Sequence, residues 1–377
     1  MRRVAVELLE PGMIVARSIF DSEGNCLLGA GVTLTDYYIQ RLKELGIVSI
    51  YVEDDLFDSL GEIKEPISEQ TRLETIKEVR KNFQALEANR RINTRHVKKM
   101  VDTILDELMS NREVLINLSD IRTYDDYTFC HSCNVCVLSL LTRITLGYNE
   151  LKLKELGIGA LLHDIGKIRV SKELLNKRGE LTKNEYAEIK KHAAYGFDIL
   201  RTYEDIPLLS AHIAFQHHER WDGKGYPRGL NQEQIHEYAR IVAVADVYDA
   251  LLADRPYRSA YSINQAVAIL NHMSGLYFEP RILAALVSNV AVYPIGSVVM
   301  LNTGEIGVVV DVNRNAPTRP VVRVVLDRRL LRLKNPHEVD LSNLSTVYIA
   351  RVLTEQDIIH LKSGTFVPQD ASDTTQE

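Results

Sequence analysis

The chain has 377 residues, of which 25% are charged and 45% apolar, with a formal net charge of -6. At about 150 residues per domain this length suits two or three domains, and the composition excludes a disordered or fibrous protein. The acidic balance lacks the basic footprint of a protein that coats DNA, RNA or anionic lipid, so neither nucleic acid nor membrane is expected as a partner. Glu7, Glu10 and Pro11 interrupt the apolar run that a secretory signal needs, and no run of about 18 apolar residues follows, so the expected location is cytoplasmic. Cys26 stands far from Cys130, Cys133 and Cys136, which argues against a disulfide framework.

Residues 1–60 alternate β-like runs (MIVARSIF, CLLGAGVTL, VSIYVEDD) with one helical run, TDYYIQRLKELG, and predict a small α+β module. Residues 61–119 are rich in charged side chains with apolar ones at helical spacing, which predicts a solvated helical connector, with a homodimer through that coil as the alternative. Residues 120–290 carry the punctuation of a helical bundle of about six or seven helices. Thr182–Glu185 and Ser262–Gln265 fit capping boxes, Pro207 and Pro280 fit first-turn positions, and Gly275 fits a helix stop. Glycine-punctuated β runs (GSVVML, GEIGVVVDV, PVVRVVLD, STVYIARVL) predict a small β domain over 291–352, followed by a partly disordered tail over 353–377. The expected fold class is therefore multidomain and mainly α, flanked by an N-terminal α+β module and a C-terminal β domain.

Candidate chemistry begins at CHSCNVC, Cys130 to Cys136. Three thiols are one short of a closed tetrahedral site. On a helix at about 100° per residue they share one side while His131 points about 100° or more away from each, so core packing suits the sulfurs and His131 needs another role. His163 and Asp164 close an apolar run, LGIGALLHDIGK; His192 follows in IKKHAAYG, His217 and His218 in AFQHHERWDGKGYP, and Asp246 in IVAVADVYDALLADRPYR. Intervals of roughly 25 to 35 residues, about one helical hairpin each, allow antiparallel packing to bring them to one end of a bundle. Each histidine alone has an ordinary core or surface role, but the set, with two acids that need partners if buried, favours metal binding. Imidazoles with carboxylates suit iron, manganese, zinc, nickel or cobalt.

The stretches HDIGK, HHERWDGKGYP and ADVYDALLADRPYR resemble the signatures of HD-GYP domains, the bacterial cyclic di-GMP phosphodiesterases of the HD phosphohydrolase superfamily, over about residues 125 to 290. The resemblance implies metal ligation by His131, His163, Asp164, His192, His217, His218 and Asp246, with Asp164 bridging two ions. Relatives with three ions carry a glutamate where this chain has Tyr127, so two divalent cations are expected, iron or manganese ahead of zinc, nickel or cobalt. The implied reaction is attack by a metal-bridging hydroxide on a phosphodiester of cyclic di-GMP, giving the linear dinucleotide and then GMP, with Asp164 and Lys167 as catalytic residues. Lys167, at i+4 from His163, can place its charge on the scissile phosphate. Gly225 and Tyr226, in a glycine-rich loop, and Arg255 and Arg258, in DRPYR, are expected to face substrate, and Asp249, one turn after Asp246, to orient a ligand or the substrate. The rival readings are an HD phosphohydrolase acting on another cyclic dinucleotide or nucleotide, and a non-catalytic cyclic di-GMP receptor.

Overall fold

The chain forms two units in the computed structural model: Met1–Glu65 with Val290–Glu377 makes one, and Pro66–Ile116 with Asp126–Asn289 the other. The structure describes all residues except 1, 21–25, 46, 48, 55–64, 112–126, 148, 178, 254–260, 314–315 and 367–377, and leaves out the side chains of residues 2, 3 and 127.

The N-terminal part of the first unit holds β1 (Arg2–Ala5), β2 (Ile19–Phe20), β3 (Cys26–Leu28), α1 (Asp36–Glu44) and β4 (Ser49–Val52). β1 pairs antiparallel with β4, and β2 with β3. Ile39 and Leu42 of α1 bury against Val4, Ile19, Leu34 and Ile50. Thr35 Oγ1 accepts the Tyr38 backbone N–H, satisfying one open donor at the start of α1.

The second unit begins with α2 (Glu69–Glu87) and α3 (Thr94–Ser110). The sequence predicts a solvated connector here; instead both helices pack as part of the helical unit. Val97, Met100, Val101, Ile104, Leu105 and Leu108 of α3 are buried, as are Ile76, Val79 and Phe83 of α2. The apolar stripe that a dimerising coil would need is therefore spent within the unit. Nine α-helices follow among the described residues: α4 (Tyr127–Thr145), α5 (Glu150–Leu161), α6 (Lys172–Leu175), α7 (Lys183–Lys190), α8 (His192–Leu200), α9 (Leu208–Gln216), α10 (Glu237–Leu251), α11 (Ile263–His272) and α12 (Pro280–Val287). The number exceeds the expected six or seven because α6 is only 4 residues long and because Lys191 alone separates α7 from α8. The capping box at Thr182–Glu185 is present, Gln265 accepts from the Ser262 N–H, and Pro280 sits in the first turn of α12. Pro207 is instead the N-cap of α9.

A 3-10 turn, Ile165–Arg169, carries the chain away from α5, and Gly166 lets it lie on α8. A Cβ at Gly166 would meet the His192 carbonyl oxygen at 2.0 Å and the Gly196 nitrogen at 2.4 Å, so any side chain there drives the turn off α8.

The C-terminal part of the first unit is a five-stranded antiparallel sheet of β5 (Val298–Leu301), β6 (Ile306–Asp311), β7 (Val321–Leu326), β8 (Arg332–Asp340) and β9 (Ile349–Val352), in the order β8-β7-β6-β5-β9. Its core continues past residue 352, contrary to the expected tail. Thr354 and Asp357 form a capping box that starts α13 (Glu355–Ser363), and Leu353, Ile358 and Phe366 bury with Val298, Met300 and Ile306. The expected disorder from about Pro368 lies outside the described residues. Among the described residues no helix is long and apolar enough to cross a membrane.

The close approach at Gly166 has a measurable cost. Gly166→Ala should lower stability by about 3 kcal/mol, the upper range of overpacking, in urea unfolding. Gly196→Ala, whose Cβ would meet the Ala214 Cβ at 3.1 Å, should cost far less. Equal shifts in the two variants would contradict the packing described.

Candidate metal centre

Helix ends, rather than helix middles, deliver most of the imidazoles. His163 follows the end of α5, His192 opens α8 and His217 is the C-cap of α9. All three use one device: Nδ1 bonds a carbonyl three residues back, His163 to Ala160 at 2.8 Å, His192 to Ile189 at 2.7 Å and His217 to Ala214 at 3.0 Å. A carbonyl only accepts, so Nδ1 carries the hydrogen and the Nε2 lone pair is turned toward the centre.

Asp164 lies where those lone pairs meet. Its Oδ2 faces His163 Nε2 at 3.4 Å and His131 Nε2 at 3.9 Å, and its Oδ1 faces His192 Nε2 at 3.5 Å and His217 Nε2 at 3.8 Å. The residues thus form two groups with Asp164 in common, Asp164 with His192, His217 and His218, and Asp164 with His131 and His163, each with ligand atoms within 4.8 Å of one another. Asp246 of α10 spans both, with Oδ1 at 3.0 Å from His131 Nε2 and Oδ2 at 3.8 Å from His218 Nδ1. All seven sequence-predicted ligand candidates are brought together.

Cations fit this arrangement. His163 Nε2 and Asp164 Oδ1 are buried without a hydrogen-bond partner, a state that costs about 1–3 kcal/mol for each group when nothing satisfies it. His192 Nε2 and His217 Nε2 stand 3.4 Å apart with their hydrogens on the opposite nitrogens, so two lone pairs face each other. Burial holds His192, His217 and His218 below the ordinary histidine range, His217 far below, which leaves neutral imidazoles ready to ligate. Burial works against ionisation of Asp164 too, but Lys167 and His163 outweigh it and hold the carboxyl well below its usual range.

His131 is oriented differently. Its Nδ1–H donates to Asp249 Oδ2 at 2.7 Å, and Asn134 Nδ2 donates to Asp249 Oδ1 at 2.9 Å. Asp249 is fully buried behind His131, so of the two roles expected for it substrate contact does not fit its placement. Burial pulls the His131 pKa down, yet Asp246 and Asp249 push it to about 9.

Exposure rises in one direction. The His131, His163, Asp164, His192 and His217 side chains are 0–4% exposed, against 13% for Asp246, 26% for His218 and 28% for Lys167. The centre therefore opens on the side of these last three. Lys167 Nζ donates to Asp164 Oδ2 there. The Tyr226 ring stacks on His218 with centroids 4.7 Å apart, and the Tyr226 N–H donates to the His218 carbonyl. Tyr186 meets Tyr226 edge-on at 6.4 Å, and Lys190 Nζ lies 4.9 Å and 5.5 Å from the two ring centroids.

Gly225 needs correction. Its missing Cβ makes room for the chain's own backbone, since a Cβ would meet the Arg220 nitrogen at 2.4 Å and the Glu219 Cα at 2.5 Å. Glu219 is buried there and accepts from the backbone N–H groups of Arg228 at 2.7 Å and Leu230 at 3.0 Å, tying the loop down. Sequence reading missed Glu219, Asn134, Tyr186 and Lys190; an acid inside HHERWDG was the only signal for the first. Two of the three sulfurs pack in the core as expected, Cys133 and Cys136, with Cys136 Sγ 3.5 Å from the Gly157 carbonyl, whereas Cys130 is only partly buried. Arg255, Arg258 and the Tyr127 side chain lie outside the described residues.

Residues 109–282 match the family model of the HD domain, and residues 298–361 that of a KOW domain associated with HD domains. A cyclic di-GMP phosphodiesterase of Pseudomonas aeruginosa is 37% identical over 238 residues, 63% of this chain and 57% of that protein. A 3'3'-cGAMP-specific phosphodiesterase of Vibrio cholerae is 41% identical over 160 residues, 42% of this chain and 35% of that one. This chain thus spans little more than half of the first relative and about a third of the second. In fold it is similar to an HDG"Y"P protein from Bdellovibrio bacteriovorus, with a TM-score of 0.50 and 19% identity over 75% of this chain and 97% of the other.

Two outcomes follow for metal loading. Cys133→Ser should leave the metal content of the purified protein unchanged; loss of metal would put sulfur back at the centre. His131, protonated at pH 7.5 because its pKa is raised to about 9, must give up its proton when a cation binds. Apparent affinity should therefore climb with pH up to about 9, with proton release seen as buffer-dependent binding heat, and a flat profile would contradict a His131 that ligates from a raised pKa.

Proposed function

We propose, from the match of residues 109–282 to the HD domain model and from the geometry of the centre, that this chain is a metal-dependent phosphodiesterase that opens cyclic di-GMP to the linear dinucleotide and then, more slowly, to GMP. The observation that carries the reading is Asp164, a buried carboxylate with one oxygen toward each of two histidine groups. Two divalent cations, iron or manganese first, supply the Lewis acidity that activates water and offsets charge on a phosphate.

The chain's own residues do the rest. His131, His163 and Asp164 would hold one ion and His192, His217, His218 and Asp164 the other, with Asp246, which faces both His131 and His218, as a further ligand. Their near-complete burial keeps bulk solvent from the inner face, so substrate approaches past Lys167, His218 and Asp246. Lys167 Nζ, beside Asp164 Oδ2, is placed to neutralise a phosphate oxygen arriving there. Tyr226, fixed against His218, offers a ring face to a guanine, and Tyr186 with Lys190 extends that wall with a second ring and a cation. Arg255 and Arg258 remain assigned to phosphate or guanine contact by their place in DRPYR. A second substrate, 3'3'-cGAMP, is favoured by the 41% identity to the Vibrio phosphodiesterase and differs from cyclic di-GMP in one base only.

The test is turnover by the full chain loaded anaerobically with iron or manganese, supplied with each cyclic dinucleotide and scored for linear product. Wild type should cleave cyclic di-GMP, while His163→Ala and Asp164→Ala should abolish turnover and metal loading together. Tyr226→Ala should raise KM more than it lowers kcat. Tight binding of cyclic di-GMP with no product under either metal would replace the enzyme with a receptor, and full activity in Asp164→Ala would remove the site.

A further inference from the structure

His131 differs from the other inward-facing histidines in what holds it. His163, His192 and His217 are fixed by carbonyls of their own local backbone. His131 is fixed by a side-chain series that runs out of α4. His131 Nδ1–H donates to Asp249 Oδ2 at 2.7 Å, Asn134 Nδ2 donates to Asp249 Oδ1 at 2.9 Å, and Arg72 Nη1 donates to Asn134 Oδ1 at 2.8 Å. The series has one consistent polarity. Turning the Asn134 amide over would set its NH2 against the guanidinium and its oxygen against the carboxylate, so Arg72 fixes the amide, the amide fixes Asp249, and Asp249 keeps a proton on His131 Nδ1. Asn134, Asp249 and His131 are at most 3% exposed, where water cannot substitute for a lost link.

Arg72 lies on α2, upstream of the residues that match the HD domain. We propose that Arg72 is a positioning residue for the metal centre, acting through Asn134 and Asp249 on His131, so that the seating of α2 against α4 sets the affinity of the ion held on the His131 side. The proposal rests on the reading of His131 as a metal ligand. It gives the helices before the domain a route to the chemistry: a signal that shifts α2 alters one ion and leaves the His192, His217 and His218 side untouched.

The experiment is calorimetric titration of the metal-stripped full chain with Mn²⁺, which needs no substrate. Arg72→Met keeps the stem and removes the guanidinium; it should weaken one of two manganese equivalents by about 10-fold or more, the usual range for loss of an outer partner of a metal ligand, and leave the other as in wild type. Arg72→Lys should recover part of that loss. Val79→Ala, about two turns further along α2, removes buried methyl groups while leaving the Arg72–Asn134 contact seated, and should titrate as wild type. Should Arg72→Met fail to fold by circular dichroism, Arg72→Gln, whose shorter amide falls short of Asn134 Oδ1, should give the one-equivalent loss in its place. An unchanged titration in the folded variant, or an equal loss in Val79→Ala, overturns the proposal by reducing Arg72 to helix packing. Absence of cyclic dinucleotide cleavage by wild type would count against the proposed function alone, since the titration still reads the series.

Discussion

A single buried carboxylate sets the terms for the helical unit. Asp164 is 1% exposed, and a charge taken out of water costs several kcal/mol unless partners replace its hydration. Lys167 supplies one positive charge at Oδ2. The imidazoles at Oδ1 supply none, because burial keeps His192 and His217 neutral. Acceptors therefore surround an acceptor, and cations are the partner that reconciles them. That is why the geometry reads as a cation site and not as a hydrogen-bonded polar core.

The surrounding fold serves this point in two ways. Placing histidines at helix ends lets each ring reach back to a carbonyl three residues earlier, so the backbone itself selects the tautomer. Close packing then brings the ends together: the turn after Asp164 rests on α8 because Gly166 has no side chain to intervene. Exposure increasing from His163 to Asp246, His218 and Lys167 gives the centre one open side, where the tyrosine wall begins.

Ligand candidates were legible in the sequence because their types are unusual in apolar helical runs and their spacing matches helical hairpins. Capping boxes at Thr182 and Ser262 were legible because their chemistry is local. What escaped was non-local. The charge-rich stretch after residue 61 reads as solvated, yet α2 and α3 bury one face each against helices distant in sequence. Gly225 reads as a gap for a ligand, yet the neighbour that needs the space is the chain's own backbone at Glu219. Arg72 carries no signal at all, and Asn134, marked only by its place in HSCNV, shows nothing local of the guanidinium that it meets across 62 positions. Leu353, Ile358 and Phe366 are too sparse to announce a helix, but they complete the core of the sheet.

Anomalous diffraction from crystals grown anaerobically with manganese addresses the shared carboxylate most directly. Two peaks about 3.5–4 Å apart, one against each oxygen of Asp164, are the expected result. One peak alone, or two with no Asp164 oxygen between them, would contradict the account.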